Sequence, residues 1–182
     1  MKQTLIAVVL FVLTLPVFAQ KRYFTKSGQI NFVAGTGEDI DGVNKSTTSV
    51  FDAVSGQLEF AVLVKGFEFK RALMQEHFNE NYMESDKYPK SVFKGKIINI
   101  DKVNFQKDGS YPVTVKGVLD MHGVKKEIET TGTFKVTGET VNSDASFAVL
   151  LSDYNIAIPS LVKDKISKTV TIKVNCNYNV LK

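Results

Sequence analysis

The chain has 182 residues, with 23 Lys and Arg against 19 Asp and Glu, two His, one Cys and no Trp. A single thiol excludes an internal disulfide, so stability has to come from a buried core. So little His and Cys weighs against a metal centre or a catalytic dyad, and the basic residues are too scattered to form the stripe that nucleic acid needs.

The first 19 residues read as an export leader. Lys2 is the positive start, Leu5 to Leu15 is the apolar stretch, and Val17-Phe18-Ala19 suits cleavage after Ala19. The stretch is short for a membrane span, with an uncleaved anchor as the alternative. No Cys lies near the cut, which argues against a lipid-anchored start. The expected mature chain begins at Gln20, in the periplasm or outside the cell. Without Lys2, 22 basic residues face 19 acidic ones, a balance of +3, over the length of one domain (20–182).

From there the dominant signal is period-2 alternation. Ile30, Phe32 and Ala34 alternate with polar neighbours. Residues 35–44 are rich in Gly and Asp and read as a loop. Leu58, Phe60, Val62 and Val64 follow the turn at Ser55-Gly56. Tyr111, Val113, Val115, Gly117, Leu119 and Met121 form a long strand, which turns at His122-Gly123. The return strand carries Val124, Ile128, Thr130, Gly132, Phe134 and Val136. Residues 141–150 make another strand, and the last shows Val170, Ile172, Val174, Cys176, Tyr178 and Val180 on one face. Cys176 is thus expected to be a buried structural thiol.

This amounts to about eight strands with one wet and one apolar face. Such a sheet packs on a second sheet or closes on itself. Gly117 and Gly132 lie on the apolar face, where glycine permits a sharp bend or leaves room. Both uses suit a closed barrel, and an ordinary bulge is the alternative.

Residues 70–94 break the pattern. Leu73, Met74, His77, Phe78, Asn81 and Tyr82 fall at helical spacing, and Pro89 ends the helix by restricting Tyr88. The apolar stripe predicts a lid or plug, with Leu73, Met74, Phe78 and Tyr82 facing a cavity or its rim. A second helical turn is expected at residues 159–166, opened by Pro159. His77 lies near Glu76 and Glu80, but no further ligand completes a metal site, so a polar contact at a cavity mouth is the better reading. His122, in a hairpin turn, reads as conformational. There is no nucleophile elbow, phosphate-binding Gly loop or His-Glu-x-x-His. The 35–42 segment lacks the residues that complete a nucleotide or calcium loop.

Two segments together resemble the YceI-like family of bacterial exported proteins. One runs from Leu73-Met74-Gln75-Glu76-His77-Phe78 to Lys87-Tyr88-Pro89-Lys90-Ser91-Val92-Phe93. The other is Gly117-Val118-Leu119-Asp120-Met121-His122-Gly123-Val124-Lys125. Asp153-Tyr154-Asn155-Ile156 and the strand from Val170 are similar to the family's closing segment. The chain departs from the family pattern at Ile40-Asp41-Gly42-Val43-Asn44 and at Phe67-Glu68-Phe69, positions that can reshape a cavity mouth.

The resemblance implies an all-β fold: an eight-stranded antiparallel lipocalin-like barrel with an inserted amphipathic helix and an elongated cavity. It implies a non-enzymatic protein that binds a polyisoprenoid or an isoprenoid quinone, with no cofactor beyond that lipid. The candidate ligand-binding residues are then Ile30, Phe32, Phe60, Val62, Phe93, Val113, Val115, Phe134 and Phe147 from the strands. Met74, His77, Phe78 and Tyr82 join them from the helix. Each could equally be ordinary core. The partners expected are an apolar lipid, a membrane touched transiently and a second copy of the chain, but no nucleic acid. The competing expectation is a stress-response or interaction barrel with a filled core.

Overall fold

The computed structural model describes residues 21–35 and 40–181. The expected leader lies outside the described residues. The alternation seen in sequence becomes strands β1 (Arg22–Gly35), β2 (Asp41–Asp52), β3 (Gln57–Leu63), β4 (Phe67–Phe69) and β5 (Lys90–Ile97). Strands β6 (Gly109–Met121), β7 (Val124–Thr137), β8 (Thr140–Leu150) and β9 (Ile166–Val180) follow. All pairings are antiparallel, in the order β1-β9-β8-β7-β6-β5-β3-β2, and β2 pairs back onto β1. Eight strands therefore close into a barrel.

A ninth, three-residue strand, β4, adds to the expected eight-stranded barrel. It takes over the edge of β2 where β3 leaves it: β3 pairs with Thr48 to Phe51, and β4 with Gly42 to Asn44. The turn Val64–Gly66 separates the two. The buried Asn44 side chain repairs the gap. Its amide donates to the Leu63 carbonyl at 3.1 Å, and its carbonyl oxygen accepts from the Ser46 N–H at 2.9 Å. The expected loop at residues 35–44 is likewise shorter. Asp41 to Asn44 is strand, paired with both β1 and β4. Its glycine is what disguised it. A β-carbon on Gly42 would lie 2.4 Å from the Phe32 ring and 3.0 Å from Phe69.

The two ends of the barrel differ. At one end Tyr23, Phe51, Phe105, Phe134 and Tyr178 pack ring on ring. Centroids lie 4.9 Å apart for Tyr23–Phe51 and 5.0 Å apart for Phe51–Phe134 and Phe51–Tyr178. Tyr23, Phe51 and Tyr178 are fully buried, so this end is closed. The other end carries the β6–β7 hairpin, the β8–β9 connection and α1 (Ala72–His77).

The helix is short, and it widens into a π turn at Phe78–Tyr82, closed by the Met83 N–H donating to the Phe78 carbonyl at 2.8 Å. Its outward side holds one correction. Leu73, expected to face the cavity or its rim, does not line the cavity and is 56% exposed. The second helical turn is also shorter than expected: a single 3-10 turn, Ser160–Val162, follows Pro159.

The wall has a seam. β6 and β7 pair along their whole length, from Gly109↔Val136 to Met121↔Val124, and β8 and β9 pair as far as Leu150↔Thr169. The ladder between β7 and β8 stops at Gly132↔Ala145. Beyond it the strands part. The Thr130 hydroxyl, donating to the Ser146 carbonyl at 3.2 Å, spans the start of the opening.

The glycines on the apolar face have a specific use. Gly117 pairs with Gly95, and a β-carbon on Gly117 would lie 2.4 Å from the Gly95 Cα and 2.7 Å from the Phe93 ring. The room left there is filled by Phe93 folding back over both strands. Gly117→Ala is accordingly expected to destabilise by about 1–3 kcal/mol, because backbone must move. Urea unfolding reads this directly, and an unchanged midpoint would contradict the contact.

Candidate functional site: an apolar cavity under a helical cap

The barrel encloses a cavity of about 370 Å³, within the range of ligand pockets. It runs from the aromatic floor at Phe134 and Tyr178 to the helix end. The wall residues follow from strand period. Ile30 and Phe32 come from β1, Phe60 and Val62 from β3, and Phe93 from β5. Val113 and Val115 come from β6, Phe134 from β7 and Phe147 from β8. Met74, His77, Phe78 and Tyr82 close the open end. All thirteen sequence candidates thus lie on the cavity wall, and Leu73 and the exposed Asn81 of the same stripe do not.

The sequence reading missed other wall residues. Leu119, Ile128, Ile172 and Val174 sit on the same strand phase and were open to the same argument. Met83, Leu151, Ile156 and Val162 were not, because only the paths of the cap and of the β8–β9 connection bring them in.

Four phenylalanines hold the cap down. Phe78 from the π turn stacks on Phe32 at 5.3 Å and meets Phe67 at 5.4 Å and Phe69 at 5.0 Å. Phe67 and Phe69 belong to β4, one of the two places where the chain departs from the family pattern. Gly42, in the other, clears the space for Phe32 and Phe69. The departures therefore build the mouth.

A second set of contacts fixes the cap's far side. His122 Nδ1 lies 2.8 Å from the Tyr154 carbonyl oxygen, and Nε2 lies 2.9 Å from the Glu84 carboxylate. The Tyr88 ring meets the His122 ring edge-on at 4.7 Å. A β-carbon on Gly123 would lie 2.6 Å from Tyr88. Glu84, His122 and Asn155, at φ 42°, 57° and 51° in the order Glu84, Asn155, His122, all take left-handed backbone. Such strain persists only where the surroundings hold it. His122 is thus conformational, as expected, and it acts as a latch between the β6–β7 hairpin, the end of the cap and the β8–β9 connection.

Polar groups on the wall are few. Ser91, Thr130, Ser143, Asp144, His77 and Lys165 contribute them, together with Tyr82 and Tyr178. Burial pushes both phenols up, Tyr178 well above its ordinary value. Ser49 donates to the Glu59 carbonyl at 2.9 Å, so Tyr178 is the donor in their 2.8 Å contact. No group of three or more metal-ligating side chains occurs among the described residues.

Cys176 lies behind this floor and is buried. Burial is the main cause that pushes its thiol from an ordinary 9.0 up to about 11. The folded state therefore holds the proton more tightly than the unfolded chain. The resulting stability is fully present below pH 9.0 and is lost as pH rises to about 11. Cys176→Ala is expected to show a shallower alkaline fall in stability across this window, measured by denaturant unfolding at stepped pH. An identical slope would contradict the burial argument.

A closed antiparallel barrel around a blind apolar cavity is a lipocalin-like architecture suited to a lipid. The chain belongs to the YceI-like family, whose domain model matches residues 20–178. No curated protein sequence matches it. Among solved structures it is similar to a polyisoprenoid-binding domain from Saccharophagus degradans, with TM-score 0.77 and 14% identity over 90% of this chain and 100% of that one. It is also similar to BcnA from Burkholderia cenocepacia, with TM-score 0.69 and 16% identity over 83% and 95%. The YceI protein of Campylobacter jejuni aligns over 100% of both chains, with TM-score 0.57 and 14% identity.

Proposed function

We propose that the chain takes up one elongated apolar lipid, a polyisoprenoid or an isoprenoid quinone, and holds it in the barrel for carriage or storage. The work is done outside the cytoplasm, after loss of a leader ending at Ala19, and involves no covalent chemistry. The observation that carries this reading is the cavity: about 370 Å³, walled by Phe, Val, Ile and Leu and closed below by packed rings. The family and the similar polyisoprenoid-binding domain support the same class of ligand.

The energetics follow from the wall. Each CH₂ taken out of water recovers about 0.8 kcal/mol. A chain of isoprene units therefore binds by length, without directional contacts. The wall's few hydroxyls give little purchase on a head group, so the site is tolerant of it. The cavity also disfavours the filled-core alternative.

The test is organic extraction and mass spectrometry of purified mature protein, followed by titration with a prenyl quinone. The expected result is a prenyl-type species in the extract, or uptake of about one quinone per chain. An empty extract together with no uptake would overturn the proposal.

A further inference from the structure

We infer that the two lips of the cavity mouth form a docking surface for an anionic lipid bilayer; the inference rests on reading the cavity as a lipid site. Each lip pairs an outward leucine with an inward neighbour. On α1, Leu73 is 56% exposed, while the next residue, Met74, lines the cavity. On the β8–β9 connection, Leu161 is 93% exposed, while the next residue, Val162, lines the cavity. Singly exposed leucines are ordinary, but here one lies on each side of an apolar opening and extends its apolar surface outward.

The Leu161 lip is a held tip. Pro159 opens it, and the Val162 N–H donates to the Pro159 carbonyl at 3.0 Å. The Lys165 N–H donates in turn to the Val162 carbonyl at 3.0 Å. The segment that follows carries Lys163, Lys165 and Lys168 against Asp164. Lys70 and Arg71 precede Leu73, while Glu76 and Glu80 follow it later in the cap, so the basic charge lies at the start of this lip. Apolar tips beside local basic residues match a surface with acyl chains below and anionic head groups above. The occupant's chemistry agrees: a prenyl chain resides in a bilayer and is not carried through water alone. With the leucines seated in lipid, Met74, Val162 and the cavity behind them face the bilayer, and the chain passes between them.

The absence of Trp makes the test clean. Leu161→Trp and Val54→Trp each introduce a single indole. Val54 is 61% exposed, in the β2–β3 turn at the closed end. With vesicles containing phosphatidylglycerol, Leu161→Trp emission is expected to shift to the blue and to be quenched by brominated lipid. Val54→Trp emission is expected not to change. Emission at Leu161→Trp that ignores vesicles, or that responds equally to pure phosphatidylcholine, overturns the proposal.

A second measurement uses the double variant Leu73→Glu, Leu161→Glu. Transfer of a prenyl quinone from vesicles is expected to slow by at least about tenfold. Binding of the short prenyl alcohol geraniol, added at low concentration without vesicles, is expected to stay as in the unaltered chain. Loss of geraniol binding in the double variant alone would place the leucines in the cavity and overturn the docking role. Insertion of Leu161→Trp into vesicles, with no prenyl binding by any form, would overturn the proposed function and leave the docking surface standing.

Discussion

Val115→Trp is expected to weaken uptake of a prenyl quinone by at least about a hundredfold while leaving the barrel folded. Val115 lies midway along β6, between Ile97 on β5 and Thr130 on β7. It is half-buried, and the space in front of it is the cavity. An indole there projects into open volume and does not press on packed neighbours, so the overpacking cost is small. The ligand must give up the space. Displacing about four methylenes forfeits about 3 kcal/mol at 0.8 kcal/mol each. Quenching of the new indole by the quinone, set beside a thermal melt, separates the two effects. Affinity within a few-fold of the unaltered chain would show that the lipid does not occupy this part of the barrel. A melt lowered by more than the few degrees of a surface change would show that Val115 is packed core.

The second large effect concerns the latch. His122→Ala is expected to cost about 2–4 kcal/mol of stability, because the buried contact to the Tyr154 carbonyl and the part-buried one to Glu84 are lost, and that carbonyl is left without its partner. Left-handed backbone at φ 51° complicates the comparison, since alanine is strained there. His122→Gly removes the side chain and relieves that strain. It is expected to lose most of the same stability. A glycine variant as stable as the original would show that backbone conformation, and not the imidazole, matters at this position. Hydrogen exchange adds a local readout: amides around residues 83–88 and 151–156 are expected to exchange faster in both variants.

The latch also gives physical content to the family resemblance. The motif segments lie in three separate stretches of sequence: one ending in Tyr88-Pro89, one in His122-Gly123, and one at Asp153-Tyr154-Asn155. In the folded chain Tyr88, His122, Gly123 and Tyr154 meet at one point. A linear reading could recognise these pieces together, but not that they touch. Contact between residues more than 30 positions apart depends on how β5, β6 and β8 pair.

The alternating residues determined a sheet and its inner face, because side chains in a strand point to opposite sides with a period of two whatever the context. Phe60, Val62, Val113, Val115 and Phe134 could therefore be placed inward from sequence alone. Whether they pack solid or enclose space was a tertiary matter. The same residue types serve both ends of this barrel: Phe134 seals the floor against Phe51, while Phe32 borders the opening with Phe78. The difference arises from the path of the chain between strands. The cap crosses one end and the 98–108 connection, with Phe105, plugs the other. Leu73 shows the same limit from the other side. Helical period groups it with Met74, but the helix lasts only Ala72–His77 before it widens, and Leu73 lies on the side left to solvent. Strand alternation is local and legible. The orientation of a short element, and the volume it closes, belong to the whole fold.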